Sequence, residues 1–321
     1  MVEQWYSPIH EDLERVELLM KETIKSENSK LTDVCNYVLN PNGKRIRPAM
    51  CILSYKACGG KDTRKAIKTG TALELIHNAT LVHDDINDQG ELRRGAKAAY
   101  KQYSISKSII AGDFLFVLGF KLIHSATPDV VEYLIEAASE MSAGEFNQKD
   151  FEHNVSVTEA DYMKIIEGKT AGLIECGAKS GALLAGSDID TIDRMGTFAR
   201  NVGLAFQIID DTLDIIGNEK AMGKKIGSDI MEGKPTLPII YSMNDPNHGD
   251  RIRKIFESDS LEASDISEAI DLIKKTDSIS RCREKAREIV KIAKNELSDL
   301  EESRYKTSLF EMVDYIVNRD R

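Results

Sequence analysis

Apolar residues recur at steps of three and four along much of this chain. Ala72, Leu75, Ala79, Val82 and Ile86 trace one stripe, and Phe206, Ile209, Leu213 and Ile216 trace another. This spacing places side chains on a single face of an α-helix. Ala286, Ile289, Val290 and Ala293 repeat it, so the charge-rich stretch from Asp250 onward is predicted to pack as closing helices rather than trail as a tail. The seven prolines leave 49–127 and 129–234 free of any, which long helices permit and turn-rich β architectures rarely show. Turn-forming clusters at 39–48, 89–95, 127–129, 216–229 and 243–250 separate the helices, and none has the length of an interdomain linker. The pattern predicts an all-α fold in one large helical domain over residues 1–321.

Composition narrows the functional classes. Hydrophobic residues make up 41% and charged residues 30% of 321, without the run of about 18 apolar residues that a membrane span requires. The opening MVEQWYSPIHEDLERV is acidic where a signal peptide needs a basic patch and then an apolar run, so a cytoplasmic protein is expected. A net charge of −10 argues against nucleic acid as a partner, and any anionic ligand must meet a local basic cluster. Cys35, Cys51, Cys58, Cys176 and Cys282 are odd in number and contain no CxxC pair, which predicts reduced thiols.

The chemistry gathers in two acidic clusters. Asp84, Asp85 and Asp88 follow the first apolar stripe; on a helix Asp84 and Asp88 lie about 40° apart and Asp85 about 100° from Asp84, all on one flank. His77 precedes Asp84 by nearly two turns. Asp210, Asp211 and Asp214 repeat the spacing inside FQIIDDTLDII. Unpaired carboxylates are costly to desolvate in such apolar surroundings, so the recurrence points to bound cations. Oxygen-only ligands suit Mg²⁺, especially with a diphosphate completing the coordination. Basic turns supply the donors a diphosphate needs: Lys44, Arg45 and Arg47 in GKRIRP, Arg93 and Arg94 after the first acidic cluster, and Lys224, Lys225 and Lys234 after the second.

GKRIRP, LVHDDIND with its RRG, Ala111-Gly112-Asp113, Lys169-Thr170, FQIIDDTLD and the segment from Gly223 to Pro238 stand in one order between about Asn42 and Ile240. In these motifs the sequence resembles the trans-type (E)-isoprenyl diphosphate synthases. The resemblance implies an isoprenoid synthase-type helical bundle around a central cavity, with the acidic motifs facing each other, and a homodimer. It implies a prenyltransferase that joins an allylic diphosphate head-to-tail to isopentenyl diphosphate. Asp84, Asp85, Asp88 and Asp210, with Asp214 assisting and Asp211 through a water or a hydrogen bond, match the residues that bind three Mg²⁺ ions. Arg93, Lys169, Lys224 and Lys234 match further allylic-diphosphate contacts; Lys44, Arg47, His77 and Arg94 match the isopentenyl diphosphate pocket, with Arg45 less direct. Thr170 and Gln207 match positions near the reacting carbons. Ala79 and Thr80 take the place where short-chain members often carry aromatic residues, which implies a product of geranylgeranyl length or longer. Lys97 stands where the family often has proline, and Asn87 where an apolar residue is common; neither change removes a metal ligand.

Three other readings are weaker. A His-Asp phosphohydrolase needs imidazole ligands, and the second cluster has none. A terpene cyclase has no need of the second diphosphate pocket that GKRIRP and His77 suggest. A noncatalytic partner subunit has no need of intact acidic motifs.

Overall fold

The computed structural model describes residues 5–39, 43–124, 126–217, 226–258 and 260–319. Among these, the helices are α1 (His10–Thr23), α2 (Ser29–Val38), α3 (Ile46–Ala57), α4 (Arg64–Asn87), α5 (Ala99–Gln102), α6 (Ile105–Ile123), α7 (Pro128–Asp150), α8 (Glu159–Ile166), α9 (Gly172–Ala185) and α10 (Ile189–Ile216). After the acidic helix α10 come α11 (Ser228–Met231), α12 (Leu237–Met243), α13 (Gly249–Phe256), α14 (Ala263–Ile273), α15 (Ser278–Glu296) and α16 (Arg304–Asn318). The fold is all-α. Its β-structure among the described residues is a two-stranded hairpin, β1 (Leu92–Arg93) with β2 (Ala96–Lys97). No described helix is long and apolar enough to cross a membrane.

Local chemistry sets the helix starts. Asn28 caps α2 by accepting from the Lys30 and Leu31 amides, and Thr158 with Asp161 forms a capping box on α8. Pro128 opens α7, where a missing N–H costs no helical hydrogen bond.

Backbone contacts divide the chain into two compact units: Met1–Ala137, Leu173–Ala199 and Glu296–Met312 form the first, and Ala138–Gly172, Arg200–Asn295 and Val313–Arg321 the second. In the first, α4 packs on α1, α3 and α6. The predicted stripe faces the core, with Ala72, Leu75, Ala79 and Val82 buried. Gly119 of α6 allows α4 to come close, since a Cβ there would stand 2.7 Å from Ile76 Cγ1. In the second unit, α12 packs on α8, α13 and α14 around Ile240, Ile255 and Phe256, all buried. Burying each such side chain stabilises by roughly 1.5–3 kcal/mol. The stretch after Asp250 forms helices as the periodicity predicts.

Candidate active site

The basic cluster lies within the first unit. Arg45 closes the turn before α3 in a left-handed conformation, φ 52°, that points its side chain inward. There its Nη1 donates to Glu74 Oε1 at 2.8 Å, and the same guanidinium grips Glu17. Arg94 also has positive φ, 51°, and with Gly95 at 79° forms the two-residue turn of the β1–β2 hairpin. Positive φ at both positions is what a type I′ hairpin turn requires, and at a non-glycine residue it costs about 1 kcal/mol. The hairpin places Arg93 against the acidic motif, its Nε donating to Asp85 Oδ1 at 2.8 Å. Gly43 lies beside two guanidiniums: a Cβ there would stand 2.7 Å from Arg45 Nη1 and 3.1 Å from Arg94 Nη1.

The electrostatics record this crowding of cations. Burial lowers the Arg47 guanidinium to about 10, with Glu74 opposing the shift and Arg94 adding to it. Among the described residues, Arg47 Nε is buried without a hydrogen-bond partner. Burial, then Arg47, Arg94, Arg93 and Arg45, hold His77 well below its usual range and keep it neutral. Burial raises the Asp85 carboxyl, against the pull of Arg93. Asp84 and Asp88 are half-buried at the end of α4, and Lys44 is exposed. Ala79 is fully buried, whereas Thr80 is half-buried and its hydroxyl donates to the His77 carbonyl at 2.8 Å.

The second acidic motif lies within the second unit, on α10. Arg319 Nη2 donates to Asp210 Oδ1 at 2.8 Å. Asp211 accepts from the Tyr162 hydroxyl and from Gln207 Nε2, each at 2.7 Å, and Thr170 Oγ1 donates to Gln207 Oε1 at 2.8 Å. Asp214 is fully buried and clasps the chain leading to Lys234, accepting from Ser228 Oγ at 2.7 Å and the Asp229 amide at 3.1 Å. Lys234 pairs with Glu232 at 2.6 Å. Lys224 and Lys225 lie outside the described residues.

Lys169 and Thr170 sit on a single π-helical turn, Glu167–Ala171, between α8 and α9. Such turns are rare and gather at functional sites. Gly168 makes this one possible, because a Cβ there would stand 2.7 Å from the Glu140 carbonyl on α7. Lys169 pairs with Glu145 and donates to Gln148 Oε1 at 3.1 Å.

Among the described residues, no three His, Cys, Asp or Glu side chains stand together as a closed metal cage. The donors nonetheless fit a hard cation: they are carboxylate oxygens, and Asp84, Asp88 and Asp210 are only half-buried. Such a set suits Mg²⁺ that takes its remaining ligands from a phosphorylated substrate. Glu17, Glu74, Tyr162 and Arg319 are absent from the sequence expectations. Only Glu74 left a sequence signal, as a lone acid in the apolar run ALELI three residues before His77.

The polyprenyl synthetase family model matches residues 28–273. This chain belongs to the polyprenyl synthetase family. Its relatives are named as prenyl diphosphate synthases, and this chain is a prenyltransferase. It is 33% identical over 98% of its length to an all-trans-nonaprenyl-diphosphate synthase (geranyl-diphosphate specific) of Rhodobacter capsulatus, 96% of which is covered. It is 36% identical over 96% of its length to a geranylgeranyl pyrophosphate synthase of Geoglobus acetivorans, 95% of which is covered. The crystal structure of a polyprenyl synthase from Caulobacter crescentus, complexed with calcium and isoprenyl diphosphate, superposes with a TM-score of 0.95 at 29% identity, over 100% of this chain and 98% of that one. The helical fold is therefore that of the solved prenyl synthases, and the calcium in that relative points to a divalent metal in this family.

Proposed function

We propose that this prenyltransferase acts as one catalytic domain that condenses an allylic diphosphate with isopentenyl diphosphate, head-to-tail and dependent on Mg²⁺. The products are an all-trans prenyl diphosphate of geranylgeranyl length or longer and diphosphate. The observation that carries the reading is the excess of cations around His77, with the buried Nε of Arg47 left without a partner. A buried donor without an acceptor costs about 1–3 kcal/mol, which a diphosphate oxygen removes.

Lys44, Arg47, His77 and Arg94 hold the isopentenyl diphosphate in this reading, while Arg45, spent on Glu17 and Glu74, keeps the turn in shape. Asp84, Asp85, Asp88 and Asp210, with Asp214 assisting, would hold three Mg²⁺ ions. When bound, Mg²⁺ supplies positive charge to the departing diphosphate. Arg93, Lys169, Lys224 and Lys234 bind the same diphosphate and lower the barrier to allylic C–O cleavage. Thr170 and Gln207 present oxygens toward the allylic cation, the isopentenyl double bond attacks it, and the resulting cation gives a proton to the released diphosphate, restoring a double bond. The small side chains of Ala79 and Thr80 leave room for a long tail, in keeping with relatives named for geranylgeranyl and nonaprenyl products.

Ile105, Ile109, Ile110 and Val117 of α6 are exposed, at 53%, 41%, 55% and 63%, which supports a homodimer. Five unpaired cysteines support a reducing, cytoplasmic setting.

The test is purified protein with Mg²⁺, labelled isopentenyl diphosphate and, in separate tubes, dimethylallyl, geranyl or farnesyl diphosphate, with products sized by chromatography. Elongated prenyl diphosphates support the reading and give the chain length. Unchanged substrates favour a noncatalytic subunit, and a cyclised hydrocarbon favours a cyclase. Omission of Mg²⁺ should abolish turnover, and light scattering should give the mass of two chains.

A further inference from the structure

Tyr162, Asp211, Gln207 and Thr170 form one chain of hydrogen bonds inside the second unit. The Tyr162 hydroxyl donates to Asp211 Oδ2 at 2.7 Å, Gln207 Nε2 donates to Asp211 Oδ1 at 2.7 Å, and Thr170 Oγ1 donates to Gln207 Oε1 at 2.8 Å. Tyr162, Asp211 and Thr170 are all buried, at 2%, 6% and 5% exposure.

The polarity of this chain follows from the carboxylate. The two ends of an amide are nearly the same size, so shape alone does not orient Gln207. An ionised carboxylate accepts and cannot donate, which forces the Gln207 amide to turn its NH₂ toward Asp211 and its oxygen toward Thr170. That oxygen then draws the single hydroxyl hydrogen of Thr170 onto itself. The lone pairs of Thr170 Oγ1 and the second lone pair of Gln207 Oε1 remain, two negative dipole ends of fixed direction. Tyr162 helps to set the carboxylate itself: its hydroxyl holds Oδ2 while the Gln207 amide holds Oδ1, so Asp211 cannot rotate without leaving a buried phenol or amide unpaired.

We propose that Tyr162 and Asp211 are positioning residues for prenyl transfer, acting through Gln207 to aim the oxygens of Gln207 and Thr170 at the developing allylic cation. Dipoles fixed beforehand in this way stabilise charge without reorganising during the reaction. The proposal rests on the prenyl-transfer reading given above. It assigns Asp211 a role apart from the half-buried Asp210 on the same helix, whose carboxylate accepts from Arg319.

The test is a double-mutant cycle on kcat, using the full chain. Tyr162→Phe removes one hydroxyl and keeps the ring; it should lower kcat about tenfold while KM for both diphosphates stays within about twofold. In a Gln207→Ala background the same change should cost less than about twofold, because the amide it positions is gone. Asp211→Asn, which lets the Gln207 amide turn over, should lower kcat further than Tyr162→Phe at an unchanged helical circular dichroism spectrum. Should Tyr162→Phe fold poorly, the cycle is run with Asp211→Asn. An equal loss in both backgrounds, or wild-type kcat in the single variants, overturns the proposal and leaves prenyl transfer standing. A wild-type protein that elongates nothing overturns both.

Discussion

Arg319 and Asp210 form an ion pair across 109 residues of sequence, Nη2 to Oδ1 at 2.8 Å. The guanidinium is 3% exposed and stands 4.3 Å from the centre of the Phe206 ring, while the Asp210 side chain is 43% exposed. Two effects oppose each other when a cation approaches Asp210. Arg319 holds the carboxylate in one orientation, worth about 0.5–1 kcal/mol. It also repels the incoming cation, by about 4 kcal/mol for unit charges 4 Å apart near a protein surface, reduced to about 1.4 kcal/mol by the exposure of Asp210. Repulsion is larger. The difference is about 0.4–0.9 kcal/mol, so Arg319→Gln should tighten Mg²⁺ binding to the substrate-free enzyme by about two- to fivefold, read by calorimetric titration. Weaker binding in the variant would mean that orienting Asp210 outweighs repulsion.

Glu74 is the buried counter-charge of the basic cluster, 2% exposed and bonded to Arg45, which is also buried. Removing one partner of a buried ion pair costs more than the pair is worth, because the other charge stays behind. Glu17 still serves Arg45, so the loss is partial. Glu74→Gln should lower unfolding free energy by about 2–3 kcal/mol, measured by urea denaturation. A change below about 0.5 kcal/mol would show that Glu17 alone holds the guanidinium.

The helices and the acidic motifs were legible in the sequence because both depend on spacing within one helix. The stripe from Ala72 to Ile86 and the i, i+1, i+4 aspartates are read directly from a period of about 3.6. The beginning of α4 was not, since three of its buried positions are Thr69, Gly70 and Thr71, which add nothing to an apolar stripe. The turn at 89–95 was legible, but the hairpin strands have two residues each, too short for any alternation. The π-turn that presents Lys169 and Thr170 depends on Gly168 meeting the Glu140 carbonyl, a contact between helices that no local pattern encodes. The same holds for the supporting side chains. Glu74, Tyr162 and Arg319 have partners 29, 49 and 109 positions away.

His77 gives the fold a pH dependence of known sign. Burial and the surrounding arginines depress its pKa well below 6.5. The folded protein keeps the ring neutral where the unfolded chain takes up a proton, so acidification below 6.5 stabilises the unfolded state and stability falls. Above that pH both states are neutral and the contribution vanishes. Between about pH 7.5 and about pH 5.5 the wild type should lose on the order of 1 kcal/mol more than His77→Gln, measured by urea denaturation at both pH values. An equal loss in the two proteins would mean that the folded state accommodates the proton.

Ala79 and Thr80 are neighbours in sequence but stand in different surroundings. Relative to Asp84, Thr80 is rotated by about 40° around the helix and Ala79 by about 140°. Ala79 is fully buried, while Thr80 is half-buried, its hydroxyl turned onto the His77 carbonyl. A bulky ring at Thr80 thus extends from the same side of α4 as Asp84, the carboxylate proposed to hold Mg²⁺. A ring at Ala79 must first displace packed side chains. Both Thr80→Phe and Ala79→Phe should shorten the prenyl product, but Ala79→Phe should cost about 1–3 kcal/mol of stability through overpacking and Thr80→Phe less than half of that. Product chromatography beside urea denaturation reads both effects in one preparation. An unchanged product from Thr80→Phe, with the protein folded, would show that the growing chain does not run along this face of α4.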